Sequence, residues 1–172
     1  MTQTLAVLRT RAPVLLLQAL GLSLVIAASA RINVPFWPVP MTLQTCAVLS
    51  IAGIFGARIG VAAVLAYLLE GAVGLPVFAA GGAATLIGPT AGYLVGFVGA
   101  AALVGSVRGA LPRAAAMLAA TALIYTLGAA WLARFVGIDQ AIQMGVVPFL
   151  LGDAAKAALA WSLSGLFAPK RD

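Results

Sequence analysis

Long runs of apolar residues, separated by short polar or glycine- and proline-rich stretches, fill most of this 172-residue chain. Several runs approach the roughly 20 apolar residues that a helix needs to cross a bilayer. Glycine, proline or arginine marks most of their ends. The pattern predicts one all-α membrane domain of six transmembrane helices, at residues 13–30, 41–55, 59–70, 91–107, 113–135 and 148–167.

Three of the connections between these spans are long enough to have structure of their own. Residues 31–40 contain three prolines, which donate no backbone hydrogen bond, so we expect a stiff loop. Residues 71–90 are rich in glycine but otherwise mostly apolar, which predicts an irregular segment folded back over the helices. Residues 137–147 are also predicted as a loop.

Composition supports a membrane protein and excludes several functions. Hydrophobic residues make up 63% of the chain and charged residues 8%, whereas soluble domains carry about 25% charged residues. The net charge of +6 is scattered over segment ends, so nucleic-acid binding is not expected. One cysteine and no histidine exclude an internal disulfide and argue against a metal site, and no cofactor is expected.

The basic residues predict an orientation. With a cytoplasmic N-terminus, only Arg31 and Arg134 of the ten basic residues fall outside, and Lys156 lies within a span. The other seven fall inside, as the positive-inside rule requires. Both termini are therefore expected in the cytoplasm, with the three long connections facing outward.

The first span also has features of a cleavable signal. Arg9 and Arg11 precede an apolar run that ends in small residues at 28–30, as in secretory signal peptides. Cleavage would leave five spans. The length of the run, about 18 residues, and the basic end of the sixth span favour the uncleaved form.

Small residues recur at every fourth position on two spans, which lets helices approach closely. On the first span they are Ala19, Ser23 and Ala27. On the fourth span they are Gly92, Gly96 and Ala100. For the fourth span we expect internal packing. For the first, internal packing and docking against another protein are equally open.

Asp153 and Lys156 stand in the otherwise apolar sixth span, three residues apart and so on one helix face. A charge at the centre of a span costs about 2.5–3.5 kcal/mol on insertion scales, so each group needs a partner. If Pro148 opens the helix, they lie roughly 7–8 Å and 12 Å below its outer end. A ligand site and a self-satisfied ion pair both remain compatible with this pattern.

Four segments carry a family resemblance: Pro38–Thr45, Glu70–Ala79, Gly88–Phe97 and Gly152–Lys156. In this order they resemble the BioY family, the biotin-binding subunits of energy-coupling factor (ECF) transporters. The resemblance extends over nearly the whole chain.

The resemblance implies a six-helix S-component in the bacterial cytoplasmic (inner) membrane that captures biotin from outside. Its implied partners are a transmembrane coupling subunit and two cytoplasmic ATPases. The chain has no glycine-rich phosphate-binding loop ending in Lys-Ser or Lys-Thr, so ATP hydrolysis is assigned to those partners and no enzyme activity is expected. The resemblance also assigns Ala19, Ser23 and Ala27 to the surface that meets the coupling subunit.

Five residues become candidates for biotin binding. Asp153 is expected to accept from the ureido N–H groups and Lys156 to donate to a biotin oxygen. Gln44 offers a donor and an acceptor, or else a hydrogen bond between helices. Tyr93 and Phe78 are expected to wall the fused rings, although interfacial anchoring or ordinary packing would explain them too.

Other functions are weighed against this one. An S-component for another vitamin-like carboxylate would show the same architecture. An enzyme would have only Asp153, Lys156 and Glu70 to work with, and Glu70 is expected in water at the end of the third span. A channel would need a polar stripe through several spans, which this sequence does not show.

Overall fold

The computed structural model describes residues 2–168, with side chains from residue 13 onward. Arg9, Arg11, Lys170 and Arg171, on which the predicted orientation partly rests, lie outside the described side chains. The helices are α1 (Thr2–Arg31), α2 (Gln44–Phe55), α3 (Ala57–Ala72), α4 (Ala91–Ser106), α5 (Ala110–Val136), α6 (Ile138–Gly145) and α7 (Leu150–Phe167).

The all-α prediction is confirmed, and each of the six predicted spans is a helix. The second span begins three residues later than predicted, at Gln44. The residues before it form a short hairpin instead, in which β1 (Asn33–Val34) pairs antiparallel with β2 (Met41–Thr42). The proline-rich loop is therefore closed at its base by two residue pairs, Asn33 with Thr42 and Val34 with Met41.

Three stretches are long and apolar enough to cross a bilayer by length and composition: Pro13–Arg31, Ala110–Val136 and Ile138–Phe167. α2 and α4 are shorter apolar helices. At about 1.5 Å per residue, α2 reaches only ~18 Å. The irregular segments beside these helices bury Val39, Phe78 and Thr85 against the bundle.

The prediction of a loop over residues 137–147 is wrong. Most of this connection is α6, followed by a 3-10 turn at Val147–Phe149. Its polar residues suggested a loop, but its apolar positions follow a helical repeat. Ala141 and Gly145 are buried against the bundle, while Ile138 and Ile142 are exposed.

The small residues of α4 pack inside the bundle, as predicted. A Cβ atom added at Gly92 would overlap the carbonyl oxygen of Leu127 on α5. One added at Gly96 would lie 2.9 Å from the Cα of Ile124. Ala100 is fully buried. Glycine is therefore required where the α4 and α5 backbones meet.

The small-residue face of α1 also lies inside the subunit. Ala19 and Ser23 are buried, Ala27 is half-buried, and the Ser23 hydroxyl bonds to Glu70 on α3. This corrects the expectation that the face forms an exposed docking surface, because spacing alone does not say which neighbour a small-residue face meets. The exposed side of α1 carries larger residues: Leu16, Leu17, Leu20, Leu24 and Val25.

Substitution of Gly92 by alanine tests the α4–α5 contact. Because the neighbouring atom is backbone and cannot move aside cheaply, we expect Gly92→Ala to destabilise the protein by about 1–3 kcal/mol. Thermal unfolding in detergent or lipid measures this. Gly21→Ala on α1 is the matched control, since a Cβ there meets nothing within 4 Å. Equal unfolding temperatures for the two variants would contradict the close packing.

Candidate functional site

A cavity of about 590 Å³, partly open to solvent, lies at one end of the helix bundle. Its wall is formed by the start of α2, α4 and α7, the ends of α3 and the hairpin, and the segment that precedes α4. Residues from the middle of α5 complete it.

All five candidate binding residues line this cavity. Asp153 and Lys156 come from α7, Gln44 from the first residue of α2, and Tyr93 from the first turn of α4. Phe78 comes from the glycine-rich segment, which folds back over the helices as predicted. The structure thus brings together residues that are up to 112 positions apart (156 − 44) in the sequence.

Asp153 and Lys156 form a buried ion pair. Lys156 Nζ donates to Asp153 Oδ1 at 2.6 Å, and the two side chains are 13% and 6% exposed, respectively. Asp153 lies in the first turn of α7, where the helix dipole also favours a carboxylate. The geometry therefore stabilises the charge on Asp153 from two directions.

Tyr125 on α5 is a third member of this cluster that the sequence analysis missed. Its hydroxyl donates to Asp153 Oδ2 at 2.8 Å. With one partner on each oxygen, the Asp153 carboxylate is held in one orientation. Each carboxylate oxygen still has a lone pair for a further donor, and Lys156 has two more N–H groups. A tyrosine inside an apolar span needs a hydrogen-bond partner for its hydroxyl, and this requirement could have identified Tyr125 as a candidate from the sequence.

Gln44 is held by neighbours on both ends of its amide. Its Oε1 accepts from the Thr42 hydroxyl at 3.0 Å, and its Nε2 donates to the Tyr67 hydroxyl at 2.7 Å. The predicted hydrogen bond between helices is therefore present, joining α2 to α3. One Nε2 hydrogen and one Oε1 lone pair remain for a ligand. Thr42 and Tyr67 also line the cavity and were not predicted.

The aromatic wall is positioned by glycines. Phe78 is almost fully buried, packs edge-on against Tyr67 at 5.2 Å between ring centroids, and lies where a side chain at Gly71 would be. The Tyr93 ring lies against Gly128 on α5. Its hydroxyl donates to the Gly145 carbonyl of α6 at 2.8 Å. α6 is thereby joined directly to the cavity wall.

Trp37 and Glu70 do not line the cavity. Trp37 in the hairpin is 80% exposed and does not line the cavity. Glu70 lies inside α3, which continues to Ala72, and is bonded to Ser23. Glu70 therefore lies in the last turn of α3, near a helix end as expected, but it is half-buried rather than in water.

The cavity combines a charged cluster with neutral polar groups and an apolar, aromatic wall. Such a surface suits a small molecule with amide-like N–H donors, an oxygen acceptor and an apolar body.

The architecture matches a solved membrane protein. It aligns with a TM-score of 0.77 to the crystal structure of the S-component for biotin from an ECF-type ABC transporter. The alignment covers 91% of this chain and 92% of that one at 24% identity, which establishes the fold.

Sequence relatives extend the match. The chain is 41% identical over 136 residues to the probable biotin transporter BioY of Pyrococcus horikoshii, covering 78% of this chain and 83% of that protein. It is 42% identical over 142 residues to the biotin transporter BioY of Thermotoga maritima, covering 78% and 84%. The sequence profile of the BioY family matches residues 1–170. This chain, with its S-component fold, belongs to the BioY family.

Proposed function

We propose that this protein is the biotin-binding subunit of an ECF-type transporter and that it takes up biotin across the bacterial cytoplasmic membrane. The observation that carries the proposal is the hydrogen-bonded cluster of buried Asp153 with half-buried Lys156 and Tyr125, in the wall of an otherwise largely apolar cavity. The names of the relatives and the matched S-component support the choice of biotin.

The chemistry of biotin fits the cavity group by group. Its neutral ureido ring has two N–H donors and a carbonyl oxygen, and its apolar tail ends in a carboxylate. Asp153 Oδ1 and Oδ2 each keep a lone pair for a ureido N–H, and Lys156 donates to a biotin oxygen. Phe78 and Tyr93 cover the apolar faces of the fused rings, and Gln44 offers its remaining N–H.

Energetics support a ligand role for the ion pair over a purely structural one. Buried ion pairs are often no more stabilising than apolar residues of similar size, since desolvation offsets their attraction. This pair faces a cavity and has hydrogen-bonding capacity left over. A ligand that supplies the missing partners completes the solvation of both groups.

The charge distribution supports an outward-facing cavity. Arg31 and Arg134 lie at the cavity end of the bundle, near the ends of α1 and α5. Arg58, Arg108 and Arg113 lie at the opposite end, in or beside the turns that join α2 to α3 and α4 to α5. The positive-inside rule puts this second end in the cytoplasm, together with both termini.

Transport also requires partners. In this proposal a transmembrane coupling subunit and two cytoplasmic ATPases assemble with the chain, and ATP is hydrolysed by those subunits. The absence of a phosphate-binding loop motif in this sequence supports the assignment of ATP hydrolysis to the partner subunits. An S-component for another small vitamin-like carboxylate is the alternative, since a cation, an anion and an apolar wall would accommodate that class as well.

Equilibrium binding of labelled biotin to the purified subunit tests the proposal directly. We expect saturable binding that unlabelled biotin displaces at lower concentration than other vitamins.

Lys156→Ala should weaken binding about tenfold to hundredfold, because hydrogen bonds to charged groups contribute about 1.5–3 kcal/mol. Ser162→Ala, on the exposed side of α7, is the matched control. Stronger displacement by another vitamin would favour the alternative ligand, and an unchanged affinity in folded Lys156→Ala would remove the role of Lys156.

The role of Tyr125 is tested by removing only its hydroxyl. Tyr125→Phe frees Asp153 Oδ2 and lets the carboxylate rotate away from the orientation that faces the ligand. We expect biotin affinity to fall about threefold to tenfold, less than for the loss of a direct hydrogen bond to a charged group, because the hydroxyl acts on the ligand only through the orientation of Asp153. Thr126→Val, the exposed neighbour on α5, should bind as the wild type does. The same affinity in Tyr125→Phe and wild type would show that the hydroxyl does not position Asp153.

A further inference from the structure

Tyr67 is a polar side chain at the cavity that the proposed function does not use. It lies on α3, lines the cavity and has no solvent-exposed surface. Its ring packs edge-on against Phe78. Its hydroxyl lies 2.7 Å from Gln44 Nε2 on α2 and 3.5 Å from the Val77 carbonyl oxygen. One hydroxyl therefore connects three parts of the cavity wall: α2, α3 and the glycine-rich segment.

The direction of these hydrogen bonds follows from the Val77 carbonyl. A carbonyl oxygen only accepts, so the single hydrogen of the Tyr67 hydroxyl is donated to Val77. The Tyr67 oxygen is then left as an acceptor, and the group of Gln44 that faces it must be the donating Nε2. A backbone carbonyl of the glycine-rich segment thus determines which end of the Gln44 amide faces α3.

Thr42 holds the other end of the amide in the same orientation. Its hydroxyl donates to Gln44 Oε1 at 3.0 Å and accepts from the Gln44 backbone N–H at 3.2 Å. The second bond satisfies the first backbone N–H of α2, which has no partner within the helix. An amide rotated by 180° would set two donors against each other at Thr42 and two acceptors against each other at Tyr67.

We propose that Tyr67 is a positioning residue for ligand recognition: its hydroxyl fixes the Gln44 amide so that the second Nε2 hydrogen is offered to an oxygen of the ligand. The inference rests on the proposed function, in which Gln44 contributes to biotin binding. Tyr67 acts through Gln44 because it exposes no surface of its own. A donor that is oriented before binding lowers the entropy cost of ordering and disfavours ligands that present a donor at the same place.

A double-mutant cycle on biotin affinity tests this role. Tyr67→Phe removes the hydroxyl and keeps the ring that packs against Phe78. We expect it to weaken binding about threefold in the wild-type background, because the hydroxyl acts only through the orientation of the amide. In the Gln44→Ala background the same change should have no effect. Tyr93→Phe is the matched control, since its hydroxyl donates to the Gly145 carbonyl and shares no partner with Gln44, so its effect should be equal in both backgrounds. Equal losses for Tyr67→Phe with and without Gln44 would overturn the inference.

Two analogues identify the ligand oxygen that receives the hydrogen bond. One ends its tail in a methyl group instead of the carboxylate, and the other, 2-iminobiotin, has N–H groups in place of the ureido oxygen. Wild type and Tyr67→Phe should bind one of these analogues equally, because that analogue lacks the acceptor for Gln44. The same loss of affinity on Tyr67→Phe for biotin and for both analogues would contradict donation to a ligand oxygen.

Nuclear magnetic resonance of the ligand-free subunit tests the hold on the amide without biotin. In protein labelled with ¹⁵N at glutamine side chains, the Gln44 signal is the one that Gln44→Ala removes. Tyr67→Phe should shift this signal and speed its hydrogen exchange with water, and Thr42→Val, which frees the other end of the amide, should do the same. An unchanged Gln44 signal in both folded variants would overturn the inference. A changed signal in a protein that binds no biotin would instead overturn the proposed ligand.

Discussion

The charge of Asp153, buried in a helix bundle that is otherwise almost entirely apolar, is the constraint on which the site depends. The first turn of α7, the Lys156 ammonium and the Tyr125 hydroxyl each contribute to its solvation. Together they satisfy one lone pair on each carboxylate oxygen and leave the others directed to further partners. A cavity wall that carries such a group selects ligands that bring hydrogen-bond donors into an apolar environment.

The rest of the fold positions this cluster and encloses it. α4 lies close against α5 because glycines at 92 and 96 remove the side chains between them. The same device at Gly71 and Gly128 lets the rings of Phe78 and Tyr93 lie at the wall of the cavity. Gln44 and Tyr67 hold α2 to α3 at the cavity wall. The cavity thus follows from close backbone packing combined with a few fixed polar contacts.

Hydropathy predicted the six spans because burial in lipid requires long apolar runs, and Asp153 and Lys156 stood out because charges are rare in such runs. The pattern did not reveal Tyr125, since a tyrosine in an apolar helix shows no partner until α5 and α7 are packed. Which neighbour the small-residue face of α1 meets also depends on how the helices pack. Glu70 was expected in water because the sequence does not show that Ser23 of α1 lies beside the last turn of α3, and α6 was missed because it is short and partly polar.

Replacing the charged cluster with apolar residues of similar size tests the central claim most directly. The variant carries Tyr125→Phe, Asp153→Leu and Lys156→Met together, so no polar partner is left alone. If the cluster exists for the ligand, this protein should fold with an unfolding temperature equal to or above that of the wild type, because apolar packing removes the desolvation cost. It should bind no labelled biotin. Retention of wild-type affinity in the folded triple variant would contradict the account.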